Sequence, residues 1–167
     1  MSSTTVVPLS EYLNTSYRPD RDFLEGELLE RNVGEWDHSR LQALLTRYLL
    51  SREKQWGILV ATEQRVQVKA NRFRVPDITV LKGARPAGGI VTNPPFLCIE
   101  ILSPSDRFEE MQDRIDDYLS FGVPYIWVID PRTRHAFIHT AEGVQRITDG
   151  SLSTQNPDIR VLLSELE

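Results

Sequence analysis

Glu100 stands in the middle of residues 96–102, a run that is otherwise apolar apart from Ser103 beyond it. A carboxylate in a core strand costs about several kcal/mol unless it is paired or coordinates a cation. Glu100 therefore either meets a buried arginine or holds a metal. A second carboxylate, Asp77, follows Val75-Pro76. Pro76 biases Val75 toward extended geometry, so Asp77 falls where a strand begins or where the chain crosses a sheet. If the two strands are neighbours, their carboxylates can meet. Two carboxylates and a backbone carbonyl suit a hard cation such as Mg²⁺, with waters completing the shell. Such an ion polarises a phosphoryl oxygen and lowers the pKa of an attacking water.

The elements that must position these groups follow from periodicity. Residues 10–14 give a helical turn or two, and 21–31 read as a short hairpin or bent strand around Gly26. Residues 37–52 form the first helix, with Leu41, Leu44, Leu45, Tyr48 and Leu49 at helical spacing. Strands are expected over 57–61, 65–69 and 75–81, the second with Val66 and Val68 on one face. A loop rich in Pro and Gly over 83–95 leads to the strand 96–102, whose apolar character on both faces suits a covered position. The second helix spans 107–121 and Gly122 stops it. Its buried stripe is Phe108, Met111, Ile115, Tyr118 and Leu119, and Arg107, Glu110, Arg114 and Asp117 form a row beside it. A strand over 125–129, a hairpin over 135–147 and a last short strand in the C-terminal tail complete the order. This pattern implies an α/β (α+β) fold, a mixed β-sheet flanked by α-helices.

The chain has 167 residues, 40% hydrophobic and 26% charged, a composition for one globular domain over 10–167 behind a flexible tail over 1–9. No apolar run approaches the roughly 20 residues that span a bilayer, and the N-terminus lacks the basic and apolar regions of a secretory signal. A cytoplasmic location follows by elimination. The lone Cys98, in an apolar string, excludes an internal disulfide and reads as a buried small hydrophobe. Trp36 and Trp127 read as packing residues. The net charge of −5 argues against a protein that simply coats nucleic acid. Six basic residues (Arg65, Lys69, Arg72, Arg74, Lys82, Arg85) surround Asp77 alone within 65–85, and seven acids accompany two arginines within 100–117. Phosphate attraction followed by metal-holding carboxylates produces this order, and so do ordinary solvated faces.

Val75-Pro76-Asp77, then Glu100-Ile101-Leu102-Ser103-Pro104-Ser105, a helix, and GVPYIWVIDP over 122–131 together resemble the Uma-type restriction endonuclease family of the PD-(D/E)XK nuclease superfamily. Gly26-Glu27-Leu28 and the early His38 are similar as well. The resemblance runs over about residues 10 to 165 and implies a restriction-endonuclease-like fold. By position it makes Asp77 and Glu100 metal ligands for Mg²⁺ or Mn²⁺, with the Ile101 carbonyl completing the site. Glu27 becomes an acid that reaches the metal or its water, or else an exposed hairpin acid. The superfamily lysine expected two residues after Glu100 is replaced by Leu102, and the position onto which this family moves it holds Arg114. Arginine cannot give up its proton near neutral pH, but it can stabilise negative charge developing on phosphorus. Arg114 is thus an electrostatic clamp, or only a partner for Glu110 one turn earlier. His38 is a candidate for lining the cleft. Arg107 is a candidate phosphate contact or a partner of nearby acids.

The function implied is Mg²⁺-dependent hydrolysis of DNA phosphodiesters, with a two-fold homodimer as the simplest way to cut both strands. The alternative is a catalytically degenerate nuclease fold that serves as a binding or assembly module. An RNA-directed or phosphatase-like hydrolase would use the same site.

Overall fold

The computed structural model describes residues 6–31 and 34–167. Its centre is a six-stranded mixed sheet built from β3 (Ile58–Thr62), β6 (Ile78–Lys82), β7 (Leu97–Ile101), β8 (Tyr125–Ile129), β9 (Ala136–Thr140) and β10 (Gly143–Ile147), in the order β10-β9-β8-β7-β6-β3. Only β7 and β8 run parallel, because the helix α4 (Phe108–Phe121) carries the chain back between them. The other pairs are antiparallel. A four-stranded sheet holds β1 (Asp22–Leu24), β2 (Glu27–Leu29), β4 (Val66–Lys69) and β5 (Arg72–Arg74), and a small hairpin pairs β11 (Ser151–Ser153) with β12 (Arg160–Leu162). Among the described residues no helix is long and apolar enough to cross a membrane.

Side-chain alternation on β7 decides which face carries chemistry. Leu97, Ile99 and Ile101 join the core beneath α2 (Trp36–Leu50), together with Leu41, Leu44, Leu45 and Leu49 of that helix. Cys98 points the other way, into a second core with Met111, Ile115 and Tyr118 of α4. Glu100 shares the Cys98 parity, so it emerges on the α4 side. The short helices α1 (Leu9–Leu13) and α3 (Glu53–Trp56) complete the helical set. Tyr12 of α1 stacks on Phe23 at 4.8 Å between ring centres and closes a third core with Phe73.

Helix α4 ends as its sequence implies. Gly122 has φ +104°, and its N–H and that of Val123 both reach back to Tyr118 O, at 3.2 and 3.0 Å. A side chain there would be strained by that φ and would press Pro94 Cγ at 3.4 Å. The turn fixes where β8 re-enters the sheet beside β7.

Several expectations need correction. The strand expected over 75–81 runs instead from Ile78 to Lys82 in the large sheet, and an unexpected strand, Arg72–Arg74, precedes it and pairs with β1 and β4. Pro76 has no N–H to give a ladder, so the chain passes from one sheet to the other at Val75-Pro76-Asp77. Phe108 is 82% exposed rather than part of the α4 stripe, because it opens the helix beyond the edge of the second core. Trp36 is 78% exposed at the start of α2, whereas Trp127 is fully buried. Within the expected flexible tail, Leu9 belongs to α1 and the Val7 N–H donates to Gly26 O at 2.8 Å. Residues 1–5 lie outside the described residues.

Candidate active site

Asp77 is placed by the passage between sheets. Continuing the antiparallel pairing of Ile78 with Ile99 by one residue sets it opposite Glu100. Its carboxylate is buried and its two oxygens have different neighbours. Oδ2 accepts the Ile101 N–H at 2.7 Å and lies 3.2 Å from His38 Nε2; Oδ1 accepts Arg31 Nη2 at 2.5 Å. Burial alone pushes Asp77 up, but the His38 hydrogen bond and the charges of Arg31 and His38 hold it below its ordinary value. His38 answers in kind. Burial works against its charged form, yet the bond and charge of Asp77 outweigh burial and raise its pKa. Gln42, one turn further along α2, donates to the Asp77 carbonyl at 2.9 Å and to Glu63 Oε1 at 3.0 Å.

Glu100 lies deeper, wholly buried beneath α4. Tyr118 donates its hydroxyl to Oε1 at 2.6 Å, and Arg114 Nη1 stands 3.9 Å from Oε2. Burial, and then the charge of Asp77, push Glu100 up to about 7, against the opposing pull of Arg114, Arg31 and Tyr118. Two neighbouring carboxylates that repel one another in a buried site favour either a shared proton or a cation. Because the folded-state value lies above the ordinary 4.5, folded protein binds more protons than unfolded chain between about pH 4.5 and 7. Stability is therefore lost as pH rises through that window, by up to about 1.4 kcal/mol per pH unit from this group. His38, whose folded value is also raised, adds a loss in the same direction above pH 6.5, its ordinary value. Glu100→Gln keeps an acceptor for Tyr118 and is expected to abolish the lower part of this decline. Urea melts of metal-free protein from pH 4.5 to 8 measure it, and a wild-type decline that survives the substitution rules Glu100 out as its source.

Arg114 joins the carboxylates to a buried ionic network. Its Nε lies 3.3 Å from Asp22 Oδ2. Burial opposes its charge, but Asp22 and Glu100 more than compensate, and its pKa is raised. Asp22, at the start of β1, also accepts Arg74 Nη1 at 3.0 Å and the Val75 N–H at 3.1 Å. Asp117 of α4 receives Arg74 Nε at 2.6 Å and Arg72 Nε at 2.8 Å. Among the ion pairs of the described residues, Arg114 thus pairs with Asp22 and Glu100 rather than with Glu110, which the helical spacing allowed.

A cavity of about 440 Å³ opens over this cluster, lined by Asp77, Ile101, Arg114 and His38 together with Arg31, Gln42, Glu63, Asp106 and the Tyr17–Asp20 segment. The structure thus brings Asp77, Glu100, Ile101, Arg114 and His38 together. It does not bring Glu27 there: that residue is exposed on β2, paired with Leu24, and absent from the cavity wall. Arg107 is not there either. It is exposed and borders a different, apolar recess with Phe108, Met111 and Val128. The two turns of α4 between Arg107 and Arg114 carry it past the cavity mouth. Residues that spacing did not single out are Asp22, Arg31, Gln42, Glu63 and Tyr118. Gln42 lies one turn after His38 on the same face, the one signal that could have found it.

The donor set fits a hard divalent cation. Asp77 and Glu100 present only oxygen, the charge of Asp77 adds to burial in raising Glu100, and Ile101 adjoins both. Among the described residues no group of three or more His, Cys, Asp or Glu side chains is gathered for a metal. Two carboxylates with waters is a set that Mg²⁺ accepts and that Zn²⁺, which prefers nitrogen and sulfur, does not favour.

Comparison with known proteins locates the fold. A crystal structure of a putative nuclease belonging to DUF820 from Anabaena variabilis ATCC 29413 superposes with TM-score 0.82 at 22% identity, covering 96% of this chain and 97% of that one. The cryo-EM structure of a DrdV–DNA complex matches with TM-score 0.46 at 18% identity, over 66% of this chain and 10% of the other. No curated protein matches. The chain belongs to the Uma2 family, described as "Putative restriction endonuclease", which matches residues 9–165 and supports a nuclease function.

Proposed function

We propose that this protein is a Mg²⁺- or Mn²⁺-dependent endonuclease that hydrolyses DNA phosphodiester bonds, working as a homodimer so that two sites serve two strands. The observation that carries the reading is the juxtaposition of Asp77, which lines a cavity walled by Arg31, His38 and Arg114, with Glu100, buried beside it on the neighbouring strand. Asp77 and Glu100 would hold the cation with the Ile101 carbonyl. When bound, it supplies Lewis acidity toward a phosphoryl oxygen and an acidified water. The chain's own groups do the rest. The Ile101 N–H and His38 fix the Asp77 carboxylate in one orientation. Tyr118, its phenol kept protonated by burial and by Glu100, fixes the Glu100 carboxylate by donation. Arg114 keeps its charge at any working pH and faces the cavity, where it offers a fixed positive charge to a pentavalent phosphorus.

The test is incubation of the protein with supercoiled plasmid and with single-stranded DNA in millimolar Mg²⁺ or Mn²⁺, beside Asp77→Ala. Nicking by wild type and none by the variant is expected. A specific observation favours a second reading, the degenerate binding module: both oxygens of Asp77 already have cationic or amide partners, and arginine stands where the family's lysine is expected. DNA retention without cleavage in any metal is the outcome that selects it.

Metal is also expected to stabilise the fold, because it relieves the repulsion between Asp77 and Glu100. At a concentration ten times Kd the gain is roughly 1.4 kcal/mol. Thermal melts at pH 8 with and without millimolar Mn²⁺ read it out, and an unchanged Tm counts against a metal site.

A further inference from the structure

We infer that Arg31 is a built-in counter-cation that occupies the metal-binding oxygen of Asp77 and must be displaced when a divalent ion enters. The inference rests on the proposed metal site and adds to it the identity of the group that competes there.

The two oxygens of Asp77 are not equivalent. Oδ2 is committed to fixed donors, the Ile101 amide within the sheet at 2.7 Å and His38 Nε2 at 3.2 Å. Oδ1 is the oxygen left for a ligand, and Arg31 Nη2 lies on it at 2.5 Å. The guanidinium side chain is only 8% exposed, so its charge is not spread into bulk water. Its other nitrogen, Nη1, holds Glu63 Oε2 at the rim of the same cavity. Arg31 therefore bridges two acids, one at the floor and one at the wall, as a multivalent cation would.

The electrostatics agree with the geometry. Arg31 lowers both Asp77 and Glu100, so its single charge reaches the two carboxylates that a metal would neutralise. A divalent ion and a guanidinium within about 4 Å of one another repel strongly at a site with little water. A divalent ion on Oδ1 and a guanidinium on Oδ1 thus exclude one another. Glu63 keeps a hold on Arg31 after it leaves Asp77, so the freed face of the guanidinium stays in the cavity, where an incoming phosphate would meet it.

A structural role and a competing role predict opposite signs. If Arg31 merely supports the site, removing it loosens Asp77 and weakens metal binding. If it competes, removing it tightens metal binding. Mn²⁺ affinity is measured by calorimetry and by electron paramagnetic resonance at pH 8, on wild type, Arg31→Gln and Arg31→Lys, with circular dichroism to show that each is folded. Arg31→Gln is expected to bind Mn²⁺ roughly tenfold or more tightly than wild type, because the repelling charge is gone. Arg31→Lys keeps the charge and is expected to stay near wild type. Mn²⁺ binding by wild type with equal or weaker binding by Arg31→Gln overturns the competition but leaves the metal site standing. Absence of Mn²⁺ binding in all three proteins overturns both.

Discussion

Asp22→Ala is expected to destabilise the protein by about 3–5 kcal/mol, the cost of leaving buried charge without its partner. Asp22 is fully buried, and among the described residues it is the only carboxylate in ion pairs with both Arg74 and Arg114. Truncation strands the Val75 amide as well, which donates to Asp22 Oδ1 at 3.1 Å. Arg74 keeps Asp117 at 2.6 Å, which limits the loss on that side. Arg114 keeps Glu100, at 3.9 Å. Asp22→Asn retains an acceptor for the Val75 N–H while removing the charge, so it is expected to lie between wild type and alanine. Urea unfolding at pH 7 gives both numbers. An alanine variant within about 1 kcal/mol of wild type would mean that water reaches these guanidinium groups and that the network is not buried in the way described.

That network also shows what could and could not be read from the chain alone. Glu100 was legible because an acid in an apolar strand is an anomaly at any register, and the periodicity of α2 and α4 placed one helix on each face of the sheet that holds it. Asp77 was legible through Pro76, which breaks the ladder beside it. The hairpin acids were not separable by spacing: β1, β2 and the turn between them offer Asp22, Glu25 and Glu27, and only burial distinguishes Asp22, flanked by Phe23 in the third core, from the exposed Glu27. Strand β5 was missed because Arg72-Phe73-Arg74 carries a single apolar residue, and its arginines are tolerated inside only through Asp22 and Asp117, about 50 positions before and 43 after in the case of Arg74. Contacts of that sequence separation leave no periodic trace. The same pairs account for three of the six basic residues over 65–85. Arg65 binds Asp20, Arg72 binds Glu25 and Asp117, and Arg74 binds Asp22 and Asp117, so the arginines before Asp77 are spent on internal ion pairs. The positive charge that remains over the carboxylates comes instead from Arg31, in a segment that no charge count covered, and from Arg114, one of the two arginines in the acidic stretch over 100–117.

Arg114→Ala is expected to cut cleavage by on the order of 10²-fold, the usual loss when one preorganised electrostatic contact to a transition state is removed. The argument is positional. Of the row Arg107, Glu110 and Arg114 along α4, Arg114 is the member that lines the cavity over Asp77 and Ile101. Its pairing with Asp22 at 3.3 Å and Glu100 at 3.9 Å holds the guanidinium in place before substrate arrives. Its Nε, although close to Asp22, is buried without an aligned hydrogen-bond acceptor among the described residues, so its pairing there is ionic. Because truncation also strips two acids of a counter-charge, the alanine variant loses stability too, and its rate must be read below its own melting transition. Arg114→Lys separates the two effects. It restores a positive charge to Asp22 and Glu100, so folding is expected to recover. Cleavage is expected to recover with it if a cation alone is required, and to exceed wild type if proton transfer limits the reaction, since a buried lysine can lose its proton and an arginine cannot. The pH–rate profile distinguishes these outcomes, because only the lysine variant would acquire a new ionisation on its alkaline side. Wild-type cleavage by a folded Arg114→Ala would reduce Arg114 to a structural ion-pair partner of Asp22, and the phosphate clamp would then have to be sought in Arg31.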